Sequence, residues 1–113
     1  MSKIIYEKVE FDLKEEWIIK NNSLLKIEIE SIKDFNKDFN KDIWSEFSED
    51  ILNIVNISKS IMIDVGWYPK FDTKGHFGLV VIESNEWRKP IETLVTRNTK
   101  KLIDKVNEIT YRY

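Results

Sequence analysis

The sequence contains no cysteine, a single histidine, three glycines and two prolines among its 113 residues. The absence of cysteine excludes disulfide bonds, thiol catalysis and thiolate metal sites, and it is typical of cytoplasmic proteins. The glycines do not precede a helical pattern, so a glycine-rich phosphate loop is also excluded. A charge follows within three residues of Met1, and no apolar run approaches the roughly 20 residues of a membrane span. We therefore expect no signal peptide, no membrane segment and a cytoplasmic location.

The composition is that of a folded globule, with 42% hydrophobic, 12% aromatic and 34% charged residues. A chain of this length buries roughly two-thirds of the surface that its unfolded form exposes, which favours one domain spanning residues 1–113. The net charge of −2 is unevenly divided. Residues 1–56 hold 13 Asp and Glu against 8 Lys, whereas residues 57–113 hold 7 against 10 Lys and Arg. The acidic half argues against direct binding of nucleic acid and is compatible with a basic protein partner, while ordinary solvation of the surface is the alternative.

Alternating apolar and polar residues predict the strands of the N-terminal half. The first strand is expected over residues 4–12. A hairpin is expected to follow, with strands 17–19 and 24–29 joined by a turn at 20–23, because two adjacent asparagines tolerate the positive φ of a tight turn.

Three further strands are predicted over residues 61–67, 77–83 and 91–97. Pro69 is expected to end the first of these, because proline lacks a backbone donor, and Gly75 is expected to adopt the left-handed turn conformation.

Two helices are predicted from apolar residues at helical spacing. One spans about 41–56, with Asn40 or Asp38 as its N-cap, and the other is C-terminal, with Asn98 or Thr99 as its N-cap. The element order β-β-β-α-β-β-β-α predicts an α+β fold: an antiparallel sheet of about five to six strands covered by two α-helices.

Residue types that support catalysis are sparse. Asp64 and Glu83 resemble the acidic pair of metal-dependent nucleases, and His76 is the nearest other ligand, but the lysine expected two residues after the glutamate is replaced by Asn85. An aspartate within an apolar strand more often bonds to nearby backbone or faces solvent at a sheet edge. We therefore expect no catalytic residue, no metal and no cofactor, and a metal-dependent hydrolase is kept as an alternative.

Trp67 and Trp87 both lie beside predicted turns. Tryptophan is enriched at the centre of protein interfaces. In a small domain, however, large aromatic side chains are also needed to fill the core. Packing and partner binding both remain open for the two residues.

One segment resembles a known group of proteins. The pattern consists of Asp64-Val-Gly-Trp-Tyr-Pro69, then Asp72, Gly75, Phe77, Leu79 and Val81, then Trp87, Pro90, Glu92 and Arg97 before an amphipathic helix. It resembles the small immunity proteins of contact-dependent growth inhibition and other polymorphic toxin systems. The likeness covers mainly residues 61–110 and consists of a hydrophobic and aromatic pattern.

The resemblance implies a non-enzymatic cytoplasmic inhibitor that binds a cognate toxin domain and blocks its active site or substrate path. A basic nuclease domain is the expected class of toxin, given the acidic half of the chain. The expected toxin-binding residues are Glu46, Glu49 and Asp50 on the predicted helix, and Trp67, Tyr68, Asp72 and Trp87 near the turns. The alternative is a small non-enzymatic accessory subunit, with a homo-oligomer formed through a sheet edge.

Overall fold

A five-stranded antiparallel sheet is the central element of the protein. The structure, a computed structural model, describes residues 7–31, 47–72 and 74–113. The strands lie in chain order across the sheet: β1 Trp17–Asn22, β2 Leu52–Asn56, β3 Ile61–Tyr68, β4 His76–Glu83 and β5 Glu92–Thr96. A short 3-10 helix spans Ile29–Ser31, and the α-helix α1 spans Thr99–Arg112. None of the described helices is long and apolar enough to cross a membrane.

The sheet has an inner face that carries the core. Because successive strand residues point to opposite faces, the odd-numbered residues of β3 and β4 share one face. The buried members of that set are Ile61, Ile63, Val65, Trp67, Phe77, Leu79 and Val81, and they form one cluster with Leu102, Val106 and Ile109 of α1. The even-numbered residues of β3 and β4 therefore point to the opposite, outer face.

Helix α1 begins at a doubly capped N-terminus. The side chain of Asn98 accepts a hydrogen bond from the Lys101 amide at 2.8 Å. The Glu28 carboxylate accepts two more, from the Thr99 amide at 2.7 Å and the Lys100 amide at 2.9 Å. These acceptors satisfy donors that have no partner within the helix, and the negative charge suits this end of the helix dipole. The prediction of Asn98 as the N-cap is confirmed.

The predicted strands of the C-terminal half are confirmed. They correspond to β3, β4 and β5, and β3 ends at Tyr68, directly before Pro69. The prediction of a left-handed Gly75 is wrong, because Phe71 adopts that conformation instead, with φ of 61°. Gly75 is needed for space: a β-carbon there would clash with the indole nitrogen of Trp67.

The predicted helix over 41–56 is wrong in its described part. Residues 47–51 are not helical, and Leu52–Asn56 is strand β2. Residues 41–46 and the proposed caps Asn40 and Asp38 lie outside the described residues. The apolar residues of β2 occur on both faces of a strand that pairs with neighbours on both edges, and such a run also matches helical spacing. The described part of the chain thus has one α-helix on the antiparallel sheet, rather than two.

The predicted strand 17–19 is confirmed as part of β1, but the other predictions for the N-terminal half are wrong in their described parts. Within 7–12 the backbone forms a single bridge, between Lys8 and Leu25, and residues 4–6 lie outside the described part. The predicted turn at 20–23 is largely strand, since β1 continues to Asn22 and pairs with β2 rather than with residues 24–29. A β-bulge between Ile19 and Asn21 occupies the place of the expected turn. Pairing with a distant strand has overridden the local turn preference of the asparagines.

Candidate interaction surface on the outer sheet face

A row of apolar side chains crosses the outer face from β1 to β4. Ile18 lies opposite Val55, Val55 opposite Met62, and Met62 opposite Ile82. Directly opposite residues share a face and pack against each other. Ile18 is exposed, Val55 and Met62 are partly exposed, and Ile82 is buried. We refer to these four residues as the apolar row, and its accessible part lies on β1, β2 and β3.

A mostly polar row runs parallel to the apolar row, two residues further along the strands. It begins at Asn21 and Asn53 and continues through Asp64 to Val80 and Thr93. The amide Nδ2 of Asn53 donates a hydrogen bond to Oδ1 of Asp64 at 3.2 Å. This bond holds the Asp64 carboxylate against the sheet surface.

Tyr68 lies over a pair of glycines on the same face. Gly66 is opposite Gly78 in the β3–β4 register. A β-carbon at position 66 would lie 2.8 Å from the Tyr68 hydroxyl oxygen, and one at position 78 would lie 3.2 Å from ring atom Cδ2. An aromatic ring lying over paired glycines compensates for their missing side chains. The ring is thereby held in place while 40% of Tyr68 remains exposed.

Three carboxylates are grouped around Tyr68, and we call Glu49, Asp50 and Asp64 the acidic cluster. Burial raises the pKa of Asp64, the hydrogen bond from Asn53 opposes that shift, and the charge of Asp50 adds to it. The pKa of Tyr68 is raised by burial and then by the negative charges of Asp64, Glu49 and Asp50. All three carboxylates therefore act on the same tyrosine. They give this end of the outer face a negative potential.

The segment before β2 brings Glu49 and Asp50 to the sheet. Its carbonyls at Phe47 and Ser48 accept hydrogen bonds from the amides of Phe71 and Trp67, both at 2.8 Å. The carbonyl carbon of Glu49 would lie 2.9 Å from a β-carbon at position 66, so only glycine there allows this approach. Both carboxylates thus lie on a non-helical segment, and not on the predicted helix face.

Three of the predicted toxin-binding residues meet at one place. Glu49, Asp50 and Tyr68 share the end of the outer face where β3 finishes, while Glu46 lies outside the described residues. Asp72 lies in the following turn at the same end of the sheet, where its Oδ1 accepts a hydrogen bond from the Lys74 amide at 2.8 Å.

Trp87 is separated from the other predicted residues. It is 51% exposed and lies in the connection after β4, whereas Tyr68 pairs with His76 at the start of that strand. The eight residues of β4 span roughly 23 Å at about 3.3 Å per residue. Trp87 and Tyr68 therefore lie at opposite ends of the sheet.

Trp67 belongs to the core and offers no accessible surface. It is fully buried and packs edge-on against Phe47 and Phe77, with ring centroids 4.9 and 5.0 Å away. Its Nε1 donates a hydrogen bond to the Asp72 carbonyl at 2.7 Å, and the Arg97 guanidinium lies 5.7 Å from its ring. The packing interpretation is confirmed for Trp67. Its suggested role as a direct contact residue is incompatible with this burial.

The residues of the hydrolase alternative are not brought together. Glu83 pairs with Ile61 of the inner-face set, whereas Asp64 is on the outer face and three residues, roughly 10 Å, further along β3. His76 is opposite Tyr68, roughly 13 Å along the strand from Asp64. Ligands of one ion must approach it within about 2.6 Å. Within 7–31, 47–72 and 74–113, no three His, Cys, Asp or Glu side chains form a group that could hold a metal.

Part of this surface could not be predicted from the sequence. The predicted helix over 41–56 includes Asn53 and Val55, so the sequence does not indicate that they lie beside Asp64 and Met62. A usable signal was present in β3, where alternation separates Ile61, Ile63, Val65 and Trp67 from Met62, Asp64 and Tyr68. It assigns Trp67 to the core and Asp64 to the face of Tyr68.

No protein-family model matches this chain, and no curated protein or solved structure is significantly similar to it. The resemblance to immunity proteins therefore stays a prediction, and the functional proposal depends on the geometry of the outer face.

Proposed function

We propose that this protein is an immunity protein that binds and neutralises a cognate toxin domain without catalysing a reaction. The acidic cluster, Tyr68 and the accessible part of the apolar row form its contact surface. The observation that carries the proposal is the grouping of Glu49, Asp50 and Asp64 around a fixed, half-exposed tyrosine on the outer face of the sheet.

The chemistry of this surface suits a basic protein partner. Carboxylates of one sign attract a basic domain from a distance, which raises the association rate and disfavours other partners. Tyr68 adds a large aromatic contact that binds with little loss of side-chain entropy. The apolar row supplies the area that is removed from water. At one contact surface, the carboxylates thus attract the partner, Tyr68 anchors it, and the apolar row is removed from water.

The residues beneath the contact surface hold it in one conformation, which favours binding without rearrangement. Phe47 of the segment that carries Glu49 and Asp50 packs on Trp67 and Phe77 in the core. Asp64 is held by Asn53, and Tyr68 by the two glycines beneath it. A surface that is already ordered loses less entropy on binding, which favours tight association.

The proposal also includes the class of toxin that this protein binds. A nuclease is the best candidate, because a domain that binds the phosphate backbone presents a basic face complementary to the acidic cluster. Inhibition then consists of covering that basic face, so that the nucleic acid is excluded. The protein itself binds neither nucleic acid nor membrane in this proposal, and it acts in the cytoplasm.

A titration against the product of the neighbouring gene, which this proposal expects to carry the toxin domain, tests the proposal. The test variant is E49K/D50K, and the matched control is E15K/E16K, which makes the same charge change at exposed residues beside the opposite end of the sheet. We expect the test variant to weaken binding about tenfold or more, mainly through slower association, and the control to bind nearly as the unmodified protein does.

The salt dependence of association is the second measurement. The unmodified protein should lose association rate as salt rises from low to physiological strength, and E49K/D50K should lose much less. Absence of binding by the unmodified protein would overturn the proposal. Equal weakening by the two charge-reversed variants would exclude the acidic cluster as the contact.

A further inference from the structure

A groove lies between the free edge of β5 and the exposed side of α1. It has a volume of about 340 Å³ and is lined by Thr93, Leu94, Lys101, Asp104, Lys105 and Glu108. In the described part of the chain β5 pairs with β4 alone. Its other edge therefore presents backbone N–H and C=O groups that a further strand can pair with.

The two edge strands of the sheet, β1 and β5, differ in whether they discourage such pairing. β1 has a bulge between Ile19 and Asn21, with Lys20 at the irregularity, and both features discourage strand addition. β5 has a regular register with β4 and contains no lysine or proline. Its one charged residue, Glu92, is ion-paired with Lys105 and Arg112 of α1. Among the described strands, β5 is thus the edge open to pairing.

The sequence of β5 is complementary to itself. In an antiparallel pair centred on Leu94, this residue lies opposite the Leu94 of a second copy, and Thr93 lies opposite Val95. Leucine with leucine and threonine with valine are favourable neighbours across a strand pair, and no like charges are opposed. Val95 is 66% exposed in the single chain and would gain a neighbour.

Helix α1 has a charge pattern with the same symmetry. Lys101, Asp104, Lys105 and Glu108 follow one another at helical spacing along the side that lines the groove. A two-fold axis through Leu94 and perpendicular to the sheet places the two helices side by side and antiparallel. Lys101 then faces the Glu108 of the second copy, and Asp104 faces its Lys105. Within one copy Asp104 is ion-paired with Lys100, and Lys105 with Glu92 and Glu108, so these contacts between copies extend existing ion pairs. Every opposed pair along this stripe has opposite charge.

We infer that the protein forms a two-fold homodimer through β5 and α1, which joins the two sheets into one of ten strands. The occupant of the groove is a second copy because strand and helix are complementary to themselves about the same axis. The acidic cluster lies on β3 and on the segment before β2, and it is not part of this contact. The inference is therefore independent of the proposed function, and a dimer would carry two free acidic clusters.

Sedimentation equilibrium over about a hundredfold range of concentration tests the inference, because a dimer dissociates on dilution by mass action. We expect the unmodified protein to form a dimer. K101E and E108K should each weaken it about tenfold, since two symmetry-related contacts change from attraction to repulsion. The double variant K101E/E108K restores opposite charges and should recover most of the dimer. A mixture of the two single variants should form a heterodimer in preference to either homodimer.

A strand variant separates edge pairing from general surface effects. V95K places a charge on the β5 edge and should abolish the dimer. Its matched control is I57K, at a residue with 65% exposure in the turn after β2, and this variant should remain dimeric. Thermal unfolding establishes that each variant is folded. A monomer at every concentration, a dimer insensitive to V95K, or no preference for the mixed pair would each overturn the inference.

Discussion

The hydroxyl group of Tyr68 lies so close to Gly66 that a β-carbon at position 66 would be 2.8 Å from the hydroxyl oxygen. The same β-carbon would meet the backbone of Glu49, which cannot move as a side chain can. The glycine therefore sets the positions of both the aromatic and the acidic part of the proposed contact surface.

Replacing Gly66 should lower both the free energy of unfolding and the affinity for the partner. We expect Gly66→Ala to lower the free energy of unfolding by about 1–3 kcal/mol, because the added methyl group overpacks against backbone. Gly78→Ala is the matched control and should cost less, since its β-carbon would meet only the Tyr68 ring, at 3.2 and 3.3 Å. Urea unfolding of the two variants measures the difference. Equal losses at the two positions would contradict the role assigned to the Glu49 backbone.

The raised pKa of Asp64 predicts how stability depends on pH. Because burial is the main cause, the folded protein holds the Asp64 proton more tightly than the unfolded chain does. Stability contributed by this group is then present below its ordinary pKa of 3.8 and is lost as the pH rises through the folded-state pKa.

Asp64→Asn should remove this penalty. The asparagine oxygen can still accept the hydrogen bond from Asn53, but it carries no charge beside Asp50. We expect the stability of the variant relative to the unmodified protein to increase as the pH rises from 3.8 and to be constant below that value. Urea midpoints across this range test the prediction. An opposite slope would show that the carboxylate is stabilised in the folded state.

The two tryptophans near turns should respond differently to truncation. Trp67→Ala should cost about 3–5 kcal/mol, because it opens a cavity between Phe47 and Phe77. Trp87→Ala should cost less, about 1–2 kcal/mol, because half of its side chain is already exposed and less apolar area is lost. Comparable losses in the two variants would contradict the burial described for Trp67.

The C-terminal half of the fold could be predicted from sequence because its signals are local. β3 and β4 each contain a short, mostly apolar run that is typical of a buried strand, Pro69 marks the end of β3, and Asn98 marks the start of α1. β2 could not be assigned in the same way. Its run of Leu52, Ile54 and Val55 fits two periodicities, and the choice between them is made by the pairing of β2 with β1 and β3.

The contact surface was predictable as a set of residues but not as an arrangement. Glu49, Asp50 and Tyr68 were identified for their chemistry, yet nothing local to the sequence places the first two beside the third. That proximity depends on the hydrogen bonds between the segment before β2 and the end of β3. Asp64 joins them through the register of β2 with β3, which pairs Asn53 with it.

Growth protection tests the central claim most directly. Cells that express the toxin proposed to be encoded by the neighbouring gene are supplied with the unmodified protein, with E49K/D50K or with the control E15K/E16K, at matched protein levels. The account predicts that the unmodified protein and the control protect the cells and that E49K/D50K does not. Cell death with the unmodified protein would contradict the account, as would full protection by E49K/D50K.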